Sequence, residues 1–153
     1  MSAATATTNA PAAARTATRP PTGAVRARIA TVLAALLGLG IGYVGIGYLF
    51  TPESMASNFG LPEWPHGEAA AFFDVKGVRD ISTGIGVLAL LATGHRRALG
   101  WLLLADALVP LDDAINVLSH HGSAAAAYGI HGATAAAVAL TGALLLTERR
   151  RAA

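Results

Sequence analysis

The stretch IATVLAALLGLGIGYVGIGYLF, Ile29 to Phe50, contains no charged side chain. A helix of that length, rising about 1.5 Å per residue, covers a hydrocarbon core of about 30 Å. A soluble helix needs a polar face, and this run has none. Three further apolar segments of similar length follow, at residues 74–93, 98–118 and 124–147. The chain is 54% apolar and only 13% charged, roughly half the charged share of soluble domains. These features predict an all-α fold, a four-transmembrane-helix bundle (spans 29–50, 74–93, 98–118 and 124–147). A soluble bundle with buried helices is the alternative. It is disfavoured because the first and fourth segments are apolar nearly all round.

Residues 1–28 are Ala, Thr, Pro and Arg without an acid or a periodic apolar face. Nothing there repays the entropy of ordering, so a disordered tail is expected. An acid-poor, Arg-bearing start also fits a transit peptide or signal n-region, although the apolar run that follows is too long for a signal core. Orientation follows from the Arg and Lys residues. With the first tail cytoplasmic, Arg15, Arg19, Arg26, Arg28, Arg96, Arg97, Arg149, Arg150 and Arg151 all fall on the inner side, and only Lys76 and Arg79 of the 11 do not. The positive-inside rule is then met at every inner segment, which predicts a multi-pass protein of the cell membrane with both termini cytoplasmic and residues 148–153 as a short basic tail. In this position the basic residues read as orientation signals, so no nucleic-acid partner is expected despite a pI near 9.5. The absence of Cys excludes thiol chemistry and Cys-based zinc sites.

One long loop, TPESMASNFGLPEWPHGEAAAFF, joins the first two spans. Pro52 and Glu53 can start a short helix, with Thr51 as its N-cap, that FGLPEWP then breaks. Phe59, Leu61 and Trp64 suit a membrane interface, so the loop is expected to form an amphipathic cap; an exposed linker is the plainer reading.

The charges of AFFDVKGVRDISTGIG run straight into the second span. Arg79 and Asp80 should lie about 8 Å below the outer rim, with Asp113 of the third span at similar depth and His131 of the fourth about 10 Å down. Lys76, Arg79, Asp80 and Thr83 share one helical stripe, and Asp106, Asp113, Asn116 and His120 another, while His131 and Thr134 are neighbours. Charged groups in a membrane face the bundle interior, pair, or line a wet cavity. A pair of Arg79 with Asp113 or Asp80 is therefore expected. Asp106, about 18 Å down, lacks an obvious basic partner, and Pro110 frees its carbonyl, predicting a kink and a polar notch. Lys76, Arg79, Asp80, Asp113, Asn116 and His131 are the candidate ligand-binding residues, and Asp106, Asp113 and His131 the candidate acid–base residues. Ion pairs that only fix helix register explain the same charges equally well, and a packing role suits His131. No ligand spacing indicates a metal, and no nucleotide loop or other motif indicates a cofactor. Gly38, Gly42 and Gly45 share a face of the first span, and Gly77 and Gly84 lie seven apart on the second; small residues let helices approach closely, within one chain or in a homo-oligomer.

TPESMASNFGLP after the first span, VKGVRDISTGI opening the second and RRALGWLLLADALVPLDDAINVL in the third carry a resemblance. Over roughly residues 30–147 the chain resembles the small four-span membrane proteins known as domain of unknown function 4267. In architecture it is also similar to the larger group that includes DoxX-like proteins. The resemblance implies a four-helix membrane domain and no particular activity. Three functions fit the residues. The first is binding of a small amphiphilic molecule in a polar pocket open to the non-cytoplasmic side. The second is acid–base catalysis (isomerase, cyclase or epoxide-opening type) on a lipid-like substrate. The third is proton-coupled export through Asp106.

Overall fold

The computed structural model describes residues 22–148. Most of the expected N-terminal tail, and all but Glu148 of the expected basic tail, lie outside the described residues. Among the described residues the chain is all-helical, with no strand. Helix α1 spans Thr22–Phe50. It begins at Thr22 rather than Ile29, so residues 22–28, expected in the tail, are helix. After Pro20 and Pro21 only Gly23 interrupts good helix formers there.

Helix α2 (Pro52–Phe59) follows at once. Pro52 occupies its first turn, where no amide partner is needed. Thr51 stands at the N-cap position, but its hydroxyl donates to the Gly47 carbonyl at 3.1 Å and makes no cap bond. Gly60 ends the helix at φ 103°, a left-handed conformation that favours glycine. A 3₁₀ turn, Gly67–Ala71, leads into α3 (Phe72–Ala92). The third apolar segment forms two helices, α4 (Arg96–Asp106) and α5 (Leu108–Ser119). The break falls between Asp106 and Leu108, one turn before Pro110, whose nitrogen cannot donate to the Asp106 carbonyl. The last segment is continuous from Ala124 to Leu146. It contains a short α6 (Ala124–Ala126), a π-helical turn (Ala127–Gly132) and α7 (Ala133–Leu146).

The core is built from paired helices, α1 against α3 and α4 against α7. Glycine sets the first contact. A Cβ on Gly45 would lie 2.6 Å from the Gly77 carbonyl oxygen, and one on Gly84 would lie 2.7 Å from that of Gly38. The two backbones thus touch directly, which any side chain would prevent. Gly100 and Gly142 do the same for α4 and α7: a Cβ on Gly142 would lie 2.8 Å from the Gly100 carbonyl oxygen. Around these contacts Ala30, Ala34, Val87, Leu99, Leu103, Val138 and Leu145 form one buried cluster. A second, smaller cluster of Ala114, Val117 and Ala127 closes the opposite end, with Phe59 and Leu61 packed onto it.

Large apolar side chains are exposed along the helices. Leu36, Leu39, Tyr43 and Phe50 on α1, Val75 and Ile85 on α3, Leu108 and Ile115 on α5, and Leu140 on α7 are all exposed. Two helices, Gly23–Phe50 and Ala124–Leu146, are long and apolar enough to cross a membrane. The other two expected spans differ for physical reasons visible in their sequences. Asp74, Lys76, Arg79 and Asp80 load the first turns of α3, and the proline-linked break divides α4 from α5.

Candidate functional site

The polar layer is assembled from α1, α3, α5 and the π-helical turn. Asp80 projects from α3 into the protein and is 3% exposed. Its Oδ2 lies 2.6 Å from Lys76 Nζ, one turn earlier on the same helix. The Lys76 ammonium also sits over the Tyr48 ring of α1, 4.8 Å from the centroid, a cation–π contact on a buried aromatic face. Burying Lys76 and Asp80 is costly unless each is paired, and the short contact meets that requirement.

Arg79 occupies a different place. Its side chain is 62% exposed, with Nε 3.8 Å from Asp80 Oδ1. Adjacent residues on a helix diverge by about 100°, whereas residues four apart nearly eclipse. Lys76 therefore reaches Asp80 directly, and Arg79 turns outward. Its long stem keeps the guanidinium exposed to solvent.

On the facing side, His131 is buried in the π-helical turn. Such wide turns, with i→i+5 bonding, occur mostly as single-turn bulges inside α-helices and frequently at functional sites. The ring packs against that of Phe59, tilted by 53° with centroids 4.5 Å apart, and Nε2 lies 2.8 Å from the Phe59 carbonyl oxygen. A carbonyl only accepts, so Nε2 carries a hydrogen. The remaining nitrogen, Nδ1, faces Asp113 Oδ2 at 3.8 Å. The Asp113 side chain is 26% exposed, and Lys76, Asp80 and Asp112 lie within electrostatic range of it. Lys76, Asp80, Asp113 and His131 thus gather in one region beneath α2. The loop that caps it is pinned at two points: His131 holds the Phe59 carbonyl, and the Ser123 amide donates to the Gly60 carbonyl at 2.8 Å. Phe59 and Leu61 turn into the protein as part of this cap.

Asn116, one turn beyond Asp113, lines an open groove of about 310 Å³ with Leu61, Pro62, Glu63 and His120. Asp106 lies two turns on the other side. Its Oδ2 is shut off from solvent without a hydrogen-bond partner among the described residues. Thr134 is exposed and donates to its own helix at the Ile130 carbonyl. Among the described residues, no three His, Asp or Glu side chains converge as metal ligands would.

A second polar cluster, not anticipated from the sequence, ties the other end of the bundle. Arg96 forms a two-pronged pair with Glu148, Nε to Oε2 at 2.5 Å and Nη2 to Oε1 at 2.6 Å. Its Nη1 donates to the Thr31 hydroxyl at 2.9 Å and its Nη2 also to the Ala27 carbonyl at 3.1 Å. Hydrogen bonding to Glu148 raises the Arg96 pKa, partly opposed by burial, so the guanidinium stays charged. Arg26 adds a bond to the Thr147 hydroxyl. No sequence signal short of a contact pattern pairs Arg96 with Glu148, 52 residues away.

Fold and site together define an all-helical protein with large apolar side chains exposed along its helices and a charged cluster buried near one end of them. The chain belongs to the family described as a domain of unknown function, DUF4267, whose pattern matches residues 38–145. No curated protein and no solved structure matches it.

Proposed function

We propose that this is an integral membrane protein that binds a small molecule, with an apolar body and a polar head, in a pocket open to the non-cytoplasmic side. In this reading the chain crosses the bilayer four times, through α1, α3, the α4–α5 pair and the continuous Ala124–Leu146 helix, with both termini cytoplasmic. Exposed apolar side chains on every long helix support it, since soluble monomers rarely show contiguous apolar patches of that extent. Arg96 and Arg97 at the start of α4, and Arg26 and Arg28 in α1, favour the same orientation.

The observation that carries the ligand reading is the position of Asp113. Its carboxylate is partly accessible, is one helical turn from the groove residue Asn116, and among the described residues has no ionic contact closer than the 3.8 Å approach to His131. Asp80, by contrast, is fully engaged by Lys76. The test is mass spectrometry of small molecules that co-purify with the protein in mild detergent. A bound amphiphile retained by wild type and lost in Asp113→Asn supports binding. Nothing above the detergent background, in protein that remains folded, overturns it.

The His131–Asp113 geometry also favours a second reading, acid–base catalysis on a lipid-like substrate. His131 is oriented by a carbonyl at Nε2 and leaves Nδ1 toward a carboxylate, the arrangement of an oriented base. Turnover of an added isoprenoid, abolished by His131→Gln at unchanged stability, distinguishes this from binding alone. Turnover that survives His131→Gln excludes it.

A further inference from the structure

The chemistry of the ligand's head can be argued from the same residues, and the argument rests on the pocket reading above. His131 Nε2 donates to the Phe59 carbonyl, and Nδ1, where it carries no hydrogen, is an acceptor. Asp113 Oδ2, an acceptor when ionised, stands 3.8 Å from it. Two acceptors facing each other repel unless an N–H or O–H donor reaches both. A nitrogen set about 2.8 Å from each satisfies both at once. The charge balance indicates a positive donor. Among the described residues, Lys76 is the only Lys or Arg drawn into the layer, and Asp80 takes it at 2.6 Å. Arg79 is turned outward at 62% exposure. Asp113 is thus the carboxylate left over, with Asp112 beside it adding negative charge.

The groove repeats this sign. Its lining includes Glu63 and no Lys or Arg, with Leu61 and Pro62 giving an apolar wall. We infer that the pocket takes a protonated amine on an apolar chain, its N–H groups bridging Asp113 Oδ2 and His131 Nδ1 and its chain lying along Leu61 and Pro62.

The experiment uses the full chain in nanodiscs of zwitterionic phospholipid and three chain-matched probes: decylamine, decanol and decanoate. Saturable binding is read by native mass spectrometry against empty nanodiscs. Decylamine is expected to bind roughly tenfold tighter than decanol, the step of about 1.4 kcal/mol that a charge-assisted hydrogen bond readily supplies, with decanoate weakest. Asp113→Asn should abolish the amine preference over decanol. Glu63→Gln, on an exposed loop, should weaken decylamine alone by about threefold, which keeps the test valid if Asp113→Asn misfolds. Decanol binding with no amine preference, or decanoate binding as tightly as decylamine, overturns the amine assignment and leaves the pocket standing. Failure of all three probes to bind saturably overturns the pocket reading and the amine assignment together.

Discussion

Replacing Gly45 with Ala asks whether α1 and α3 touch through their backbones. The added methyl carbon would lie 2.6 Å from the Gly77 carbonyl oxygen and 2.8 Å from the Ile81 amide nitrogen. Both are backbone atoms, so no side-chain rotation relieves the contact and the helices must separate. Overpacking of this kind costs typically about 1–3 kcal/mol. Alanine recovers up to about 1 kcal/mol in helix propensity, so the net effect of Gly45→Ala could be small by itself. Gly42 supplies the control. It lies on the same helix, yet a Cβ there meets nothing within 4 Å. Gly42→Ala gains the same propensity without the clash. The difference between the two variants isolates the helix contact, and Gly45→Ala is expected to be less stable than Gly42→Ala by about 1–3 kcal/mol. Thermal unfolding in one detergent, followed by far-UV circular dichroism, measures it. Equal midpoints for Gly45→Ala and Gly42→Ala would refute the glycine-mediated crossing.

Removing Lys76 should be far worse than removing the pair. Lys76→Met leaves the Asp80 carboxylate, 3% exposed, without its partner, a loss toward the lower end of roughly 3–5 kcal/mol because Lys76 keeps some exposure. Lys76→Met/Asp80→Leu should recover most of that stability in the same thermal assay; a double variant no better than the single one contradicts the pairing. At the other end, Arg96→Ala loses Glu148, Thr31 and the Ala27 carbonyl together, with an expected cost of about 1–3 kcal/mol after allowance for partial exposure. A double-mutant cycle with Glu148→Gln should show coupling of about 1 kcal/mol or more, and strict additivity would show the two to be independent.

Much of the architecture was legible because apolar runs and backbone hydrogen bonding impose simple rules. The uncharged run ending at Phe50 marks α1, and the seven-residue spacing of Gly77 and Gly84 marks the face that meets Gly45 and Gly38. Pro110 foretells the break after Asp106 because a missing amide hydrogen acts locally. The start of α1 at Thr22 was less legible, since helix propagation past the apolar run depends on weak propensities. In the site, helical spacing puts Lys76, Arg79 and Asp80 on one broad stripe and cannot say which cation turns inward; the four-residue step to Lys76 decides it. The π-helical turn at His131 is a matter of backbone hydrogen bonding that no residue pattern announces, although Gly129 and Gly132 flank the position. Neither the Phe59 carbonyl against His131 nor the Arg96–Glu148 pair could be read, because each joins elements 72 and 52 residues apart by tertiary packing alone.

The central claim is that lipid surrounds this chain and that its charged pocket opens on the side away from the cytoplasm. The absence of native cysteine permits a direct measurement by single-cysteine labelling with a membrane-impermeant maleimide in sealed vesicles of known sidedness. Glu68→Cys, in the exposed 3₁₀ turn between α2 and α3, and Arg97→Cys, exposed near the start of α4, report the two ends. The account predicts labelling of Glu68→Cys from the non-cytoplasmic side, and of Arg97→Cys only from the cytoplasmic side or after permeabilisation. Labelling of both from one side, or recovery of the protein in the soluble fraction without detergent, would contradict it.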